Sequence, residues 1–66
     1  MREWLAAIRK ANNLSQYEVA RRVGIAAPSY YNIETGKRNP SVPTAQKIAS
    51  VLGFDWTEFF EKEESA

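Results

Sequence analysis

The sequence predicts an all-α fold, with five short helices around one hydrophobic core in a single compact domain over residues 1–66. Three observations predict it. Apolar residues recur at intervals of three and four, which is the spacing of one helix face. Asparagine or glycine, which readily end helices, follows each of the first four apolar segments. A chain of 66 residues also makes only one small domain.

Helix 1 is predicted over residues 2–12. Its inward stripe is formed by Leu5, Ile8 and Ala11, with Trp4 covering an edge of the core. The asparagine pair 12–13 ends it, because asparagine favours turns and helix ends.

Helix 2 is predicted from Gln16 to Val23. Ser15 caps it, and Glu18 three residues later completes a capping box. Its inward face is formed by Val19, Ala20 and Val23. Gly24 ends it, because glycine adopts the left-handed conformation after a helix most easily.

Helices 3 to 5 follow the same logic. Helix 3 is predicted over about residues 27–35 and helix 4 over about residues 42–52, which ends at Gly53. Asp55 is predicted to cap helix 5, with Glu58 three residues later. Their inward residues are Tyr30 and Ile33, then Ala45, Ile48, Ala49 and Leu52, with apolar cover from Trp56, Phe59 and Phe60. Residues 62–66 are expected to be a frayed end.

Composition excludes several functions. Without cysteine or histidine, the chain has no thiolate metal site, no usual general base and no residue of the commonest zinc-ligand type. The acidic residues occur at helix starts and in the tail, so we predict neither an enzyme nor a metal or cofactor. No apolar run approaches the roughly 20 residues of a membrane span, and no signal peptide begins the chain. We therefore expect a soluble intracellular domain.

Charge is distributed unevenly along the chain, although the formal net charge is only +1. Residues 1–47 carry a net charge of +5, whereas residues 48–66 carry −4. The basic part contains helices 2 and 3, as a phosphate-binding surface would require. The alternative is a solvated surface with an acidic tail, which is what charge runs usually indicate.

Helices 2 and 3 are predicted to cross at a tight turn. Ala20 would allow a close crossing, because a larger side chain would push the two helices apart. Gly24 supplies the turn and Ile25 fills its corner. This is the spacing of a helix-turn-helix, whose second helix can lie in the major groove of DNA.

Short motifs along the chain carry a family resemblance. In order they are Leu14-Ser15-Gln16, Ala20, Gly24, Ile33-Glu34, Gly36-Lys37, Asn39-Pro40-Ser41, Leu52-Gly53 and Asp55-Trp56 through Phe59. Together, over about residues 5–60, they resemble the phage-repressor and Cro-type helix-turn-helix family, also called the XRE family of bacterial regulators. The resemblance implies a lambda-repressor-like fold and a bacterial or phage-encoded cytoplasmic regulator that binds double-stranded DNA, with repression the expected outcome and no small-molecule ligand evident.

The resemblance implies that helix 3 supplies the base contacts. Its outer positions are Ala27, Pro28, Ser29, Tyr31 and Asn32. The amide of Asn32 can pair with adenine N6 and N7, Ser29 can reach a base or a phosphate, and Tyr31 can reach a phosphate or a thymine methyl. The alternative for each is plain surface, and for Tyr31 a protein interface.

The start of helix 3 departs from the family pattern. Members often have a serine there and a long glutamine or arginine that reads bases, whereas this chain has Ala26-Ala27-Pro28. Since Pro28 disfavours helical geometry at the residue before it, the helix is predicted to start at Ala27 or one residue later. Base recognition would then rest on apolar contacts with thymine methyls, supplemented by DNA shape.

Phosphate contacts are implied for Gln16 at the start of helix 2 and for Lys37, Arg38 and Asn39 after helix 3. Helix N-termini attract phosphate, and such contacts fix register without specifying sequence. The alternative for Gln16 is an ordinary exposed glutamine.

Two further pairs of residues have implied roles. Arg9 and Glu34 match a family ion pair that would lock the recognition helix onto helix 1. Trp56 and Phe60, four residues apart, either cover the core or form a dimer surface, since related repressors dimerise near their last helices. A homodimer on DNA is functionally expected, because one domain reads only a few base pairs.

Two other functions stay open. The first keeps DNA binding but makes the protein an antitoxin or a restriction-control protein, since small members of the family serve such roles. The second is a helical protein–protein interaction module, which the weak donor set of Ala26-Ala27-Pro28 and an exposed Tyr31 would favour.

Overall fold

The computed structural model describes residues 1–61, which form five α-helices and no strand. In chain order these are α1 (Glu3–Ala11), α2 (Gln16–Val23), α3 (Ala27–Thr35), α4 (Val42–Leu52) and α5 (Glu58–Glu61). The predicted all-α fold is therefore confirmed. None of these helices is both long and apolar enough to cross a membrane. The predicted frayed end, residues 62–66, lies outside the described residues.

The core lies where α2 packs against α3 and α4, with α1 and α5 completing it. Its buried members are Leu5, Val19, Ala20, Val23, Tyr30, Ile33, Ala45, Ile48, Leu52 and Phe59. The inward faces predicted for the second, third and fourth helices are thus confirmed. Fully buried side chains such as Leu5 and Ile48 each contribute roughly 1.5–3 kcal/mol, and a chain this small depends on every one of them.

The ends of α2 follow local sequence rules. Ser15 Oγ accepts the backbone N–H of Glu18 at 3.0 Å, and Glu18 Oε1 accepts the backbone N–H of Ser15 at 2.9 Å, so the predicted capping box is present. Gly24 ends the helix in the left-handed conformation at φ 90°. Ala20, 2% exposed, lies in the core where α2 meets α3, as the close crossing requires.

The predicted inward stripe of α1 was partly wrong. Ala11 is exposed, and Ala6 is buried in its place, at 5% exposure. The buried face of α1 centres on Leu5, Ala6 and Arg9, because Arg9 is drawn inward by Glu34. Ala11 lies about 240° around the helix from Leu5, at about 100° per residue, and therefore faces solvent. Ile8 is half-buried against the edge of the core.

The first residue of α3 is Ala27, the earlier of the two predicted starts. Ala26 precedes it in extended geometry, and no side chain caps the helix. Pro28 occupies the second helical position, where its missing N–H has no intrahelical acceptor to lose.

Helix α5 is shorter than predicted, because Asp55 caps the turn before it. Asp55 Oδ1 accepts the backbone N–H of Thr57 at 3.0 Å and its hydroxyl at 2.7 Å. The last turn places Phe59 in the core, where its ring lies 5.2 Å from that of Trp4. The predicted position of Trp4 at the edge of the core is confirmed.

Candidate nucleic-acid interface

Helix α3 presents a buried face and an outward face. Tyr30, Ile33 and Glu34 are buried, which anchors the helix on the core. The outward positions are those predicted for base contacts: Pro28 and Tyr31 are exposed, and Ala27, Ser29 and Asn32 are half-buried. Ala27 packs against the core, which reduces the surface that it can offer to a base.

The basic loop, residues 36–39, leaves the C-terminal end of α3. Gly36 turns the chain in the left-handed conformation at φ 90°, and Lys37, Arg38 and Asn39 are all exposed. The N–H of Arg38 donates to the carbonyl oxygen of Asn32 at 3.1 Å, which ties the loop to the C-terminal end of α3. The three residues predicted to contact phosphate therefore directly follow the helix that carries the predicted base contacts.

A concave pocket of about 320 Å³ separates α3 from the start of α4. Its lining includes the apolar side chains Ile25, Ile33 and Pro40 and the polar side chains Ser29, Arg38 and Thr44. Ser29, which is predicted to contact a base, and Arg38, which is predicted to contact a phosphate, thus line the same pocket. It gives this face of the molecule a concave surface, partly apolar and partly polar, next to α3.

Arg9 and Glu34 form the predicted ion pair. Arg9 Nε and Nη2 donate to Glu34 Oε1 and Oε2 at 2.9 and 3.0 Å, and Arg9 Nη1 donates to the carbonyl oxygen of Leu14 at 2.9 Å. The side chain of Glu34 is fully buried. The pair therefore ties α3 both to α1 and to the segment that leads into α2.

The electrostatics of this pair follow from its hydrogen bonds. Burial raises the pKa of the Glu34 carboxyl, but hydrogen bonds led by that from Arg9 outweigh burial and lower the pKa overall. The same hydrogen bond raises the pKa of Arg9. Burial, and then the neighbouring carboxylate of Glu34, raises the pKa of Tyr30, so its phenol stays protonated. Glu34 is thus a buried charged group at neutral pH.

Gln16 is the first residue of α2, as predicted, but its side chain is not an ordinary exposed glutamine. It is half-buried, and Nε2 donates to Glu34 Oε2 at 3.0 Å. One donor of the amide is therefore directed at the ion pair, and a primary amide has a second donor on the same nitrogen.

The sequence pattern predicts no role for Arg2 beyond its contribution to the positive charge of residues 1–47. Arg2 is buried at 3% exposure, and Nη1 donates to the carbonyl oxygens of Ile33 and, at 2.9 Å, of Arg38. Nη2 donates to Asn39 Oδ1, so Asn39 bonds to the protein as well as being exposed. Nothing in the local pattern signals this role, because it depends on where the distant loop folds.

Trp56 and Phe60 lie side by side on the acidic end of the chain. Their rings meet edge to face, with 6.0 Å between centroids. Trp56 is half-buried against the core, whereas Phe60 is 47% exposed. Core cover therefore accounts for Trp56, and Phe60 is the residue of the pair with apolar surface to offer a partner.

Comparison with known proteins identifies relatives. The profile of a helix-turn-helix family matches residues 5–59. The chain is 48% identical to the uncharacterized HTH-type transcriptional regulator YqaF of Bacillus subtilis, over 92% of this chain and 80% of that protein. It is 37% identical to an uncharacterized HTH-type transcriptional regulator of Archaeoglobus fulgidus, over 94% and 99% of the two chains. It is also 35% identical to the HTH-type transcriptional regulator PuuR of Escherichia coli, over 91% of this chain but only 32% of PuuR.

Proposed function

Because the chain belongs to the helix-turn-helix family, whose relatives here are transcriptional regulators, we propose that it binds a specific double-stranded DNA sequence and represses transcription there. Helix α3 enters the major groove, and the basic loop holds the adjacent backbone. Binding requires no cofactor, metal or catalytic step, and the protein acts in the cytoplasm.

One observation carries this proposal. Ser29 on the outward face of α3 and Arg38 of the basic loop line the same pocket, while the opposite face of the helix is anchored in the core. Residues that can distinguish bases thus lie on a helix that leads directly into a loop whose residues can bind phosphate. The net charge of +5 over residues 1–47 supplies the attraction for the DNA backbone.

The base contacts are assigned by chemistry. Asn32 reads adenine through its amide. Tyr31, 48% exposed, packs against a thymine methyl or donates to a phosphate, and Ser29 donates to a base or a phosphate from the edge of the pocket. Ala27 and Pro28 add apolar contact only. The preference for a DNA sequence therefore depends on few hydrogen-bonding side chains, and the shape of the DNA supplies part of this preference.

The phosphate contacts surround the base contacts. Lys37 and Arg38 bind the backbone as exposed cations, and Asn39 contributes through its amide. Gln16 donates its second amide N–H to a phosphate at the N-terminus of α2, where the backbone amides favour an anion. Glu34 and Arg9 act structurally, by fixing α3 and the Gln16 side chain.

A homodimer completes the proposed regulator. One domain reads only a few base pairs, and a two-fold dimer doubles the recognised sequence. Phe60 is the exposed part of the proposed dimer surface, with Trp56 behind it. An antitoxin or restriction-control role would use the same DNA-binding surface.

Selection from a pool of random-sequence duplexes at physiological salt tests the proposal. An enriched inverted repeat, with half-sites about one helical turn apart, is the expected result. The variant Lys37→Ala combined with Arg38→Ala serves as a matched control and should lose enrichment. Absence of binding even at low salt would instead favour the helical protein–protein interaction module, whose affinity for a partner would respond little to salt.

A further inference from the structure

Arg2 is buried against the basic loop although it precedes α1. Its Nη1 donates to the carbonyl oxygens of Ile33, in the last turn of α3, and of Arg38, and its Nη2 donates to Asn39 Oδ1. Ile33 belongs to α3, whereas Arg38 and Asn39 form the second half of the basic loop. One guanidinium therefore connects the end of α3 to the second half of the loop.

Two other contacts fix Arg2 in this position. Its backbone N–H donates to the carbonyl oxygen of Glu34 at 2.8 Å. Its guanidinium carbon lies 5.6 Å from the centroid of the Phe59 ring, within the range of a cation–π interaction. Arg2 is thus held between α3 and α5, and its charge points into the protein.

Backbone hydrogen bonds tie the basic loop to α3. The N–H of Gly36 donates to the carbonyl oxygen of Ile33 at 3.3 Å, and that of Arg38 donates to Asn32 at 3.1 Å. Lys37, Arg38 and Asn39 are exposed. The carbonyl oxygen of Ile33 accepts from Arg2 as well as from the N–H of Gly36. Arg2 therefore adds side-chain hydrogen bonds to the backbone bonds that tie the loop to α3.

We propose that Arg2 is a positioning residue that holds the basic loop in its phosphate-binding conformation before DNA arrives. The inference rests on the proposed function, because it assigns Arg2 a part in DNA affinity. Observed affinity scales with the fraction of molecules whose site is already in the competent conformation. Arg2 raises that fraction without touching the ligand.

Direct phosphate binding by Arg2 predicts a different result. A cation that contacts phosphate adds about 0.9 to the salt slope of binding, in log affinity against log salt concentration. Arg2 is only 3% exposed, and its Nη1 and Nη2 groups donate to Ile33, Arg38 and Asn39. A positioning role therefore predicts weaker binding with an unchanged salt slope.

Three variants of the full chain test the proposal. Arg2→Met keeps a long side chain but removes the donors, and Arg2→Lys keeps the charge but not the planar fork. Lys47→Met is the matched control, because it removes one exposed cation from α4. Amide hydrogen exchange at Arg38 is measured without DNA, and affinity for the selected duplex is measured at several salt concentrations. Circular dichroism verifies that each variant is folded.

Arg2→Met is expected to bind about tenfold more weakly, as a tenfold drop in the competent fraction requires, with faster exchange at Arg38 and an unchanged salt slope. Arg2→Lys is expected to resemble Arg2→Met more than the original protein, and it carries the same test if Arg2→Met does not fold. Lys47→Met is expected to leave exchange at Arg38 unchanged.

Three results would overturn the proposal. A salt slope lowered by about 0.9 in Arg2→Met would make Arg2 a direct phosphate contact. Equal losses of affinity in Arg2→Met and Lys47→Met would show that Arg2 affects DNA binding only through the net charge of the protein. Unchanged exchange at Arg38 and unchanged DNA affinity in Arg2→Met would show that Arg2 does not position the basic loop. If the unsubstituted protein binds no duplex at low salt, the proposed function itself fails, and the exchange experiment then reports on the loop alone.

Discussion

Arg9 on α1 and Glu34 on α3 are joined by two parallel hydrogen bonds, of 2.9 Å from Nε to Oε1 and 3.0 Å from Nη2 to Oε2. Glu34 also accepts from Gln16 at 3.0 Å, so the carboxylate connects α1, α2 and α3. Because the side chain of Glu34 is fully buried, these donors replace the water that the charge loses on folding. The orientation of α3 therefore depends on the hydrogen bonds that Arg9 and Gln16 donate to the buried carboxylate of Glu34.

Glu34→Gln should lower the free energy of unfolding by about 3 kcal/mol. The substitution leaves the guanidinium of Arg9 without its anionic partner in a poorly solvated site, and breaking a buried pair typically has an effect of this size. Urea denaturation at neutral pH measures the loss. Glu3→Gln, at an exposed position of α1, is the control and should change stability by less than about 0.5 kcal/mol. Equal effects of the two substitutions would show that the pair contributes nothing specific.

Stability should fall as the pH drops below about 4.5, the ordinary pKa of glutamic acid. The pKa of Glu34 is lower in the folded protein, so between the folded and unfolded values the unfolded chain binds more protons. The contribution of Glu34 is therefore complete above about pH 4.5 and is lost as the pH falls through the folded value.

Urea midpoints of the original protein and of Glu34→Gln, measured from pH 7 to pH 2, isolate this contribution. The pKa values of Glu18 and Asp55 are also lowered, but both residues are kept in both proteins. The difference in stability between the two proteins should shrink on acidification. A difference that is constant across this range would mean that Glu34 does not titrate with folding.

Asn32→Ala should relax sequence preference at one base position. A bidentate amide–adenine contact discriminates by about 1–3 kcal/mol, and the substitution removes that discrimination at the contacted position only. Competition between the selected duplex and its single-base variants measures it. Gln46→Ala, which removes an exposed amide from α4, is the control and should preserve every preference. Equal weakening on all duplexes would show that Asn32 does not read a base.

Lys37→Ala should weaken binding to every duplex by a similar factor and lower the salt slope by about one. The exposed ammonium group at the start of the basic loop would contact a phosphate, and each lost contact removes about 0.9 from the slope. Titrations between about 50 and 200 mM salt measure the slope. A slope unchanged from that of the original protein would remove Lys37 from the phosphate-binding set.

The features predicted correctly from sequence depend on neighbours along the chain. The capping box of Ser15 and Glu18 needs only residues three apart. Gly24 ends α2 because its own backbone reaches φ 90° cheaply. The inward stripes of α2 and α4 repeat with the helix period. Such features are predictable because few alternatives satisfy the local stereochemistry.

The features missed depend on distant partners. Ala11 continues the apolar spacing of α1, but the buried face includes Ala6 and Arg9, and Arg9 is buried where it bonds to Glu34. Glutamine is a polar residue type that is usually exposed, yet Gln16 is half-buried and its amide bonds to the same carboxylate. Neither outcome is visible in a helical period, because the partner is 18 or more positions away.

The order of the residues is enough to predict the number of helices, the ends of α2 and α4, the helix-turn-helix and the family to which the chain belongs. The folded arrangement is needed to see that Arg2 connects α3 to the basic loop and that Glu34 joins three helices. The difference comes from the range of the interactions. Helix periods and caps are fixed by contacts within four residues, whereas a buried guanidinium or carboxylate is stable only where the fold brings its partners together.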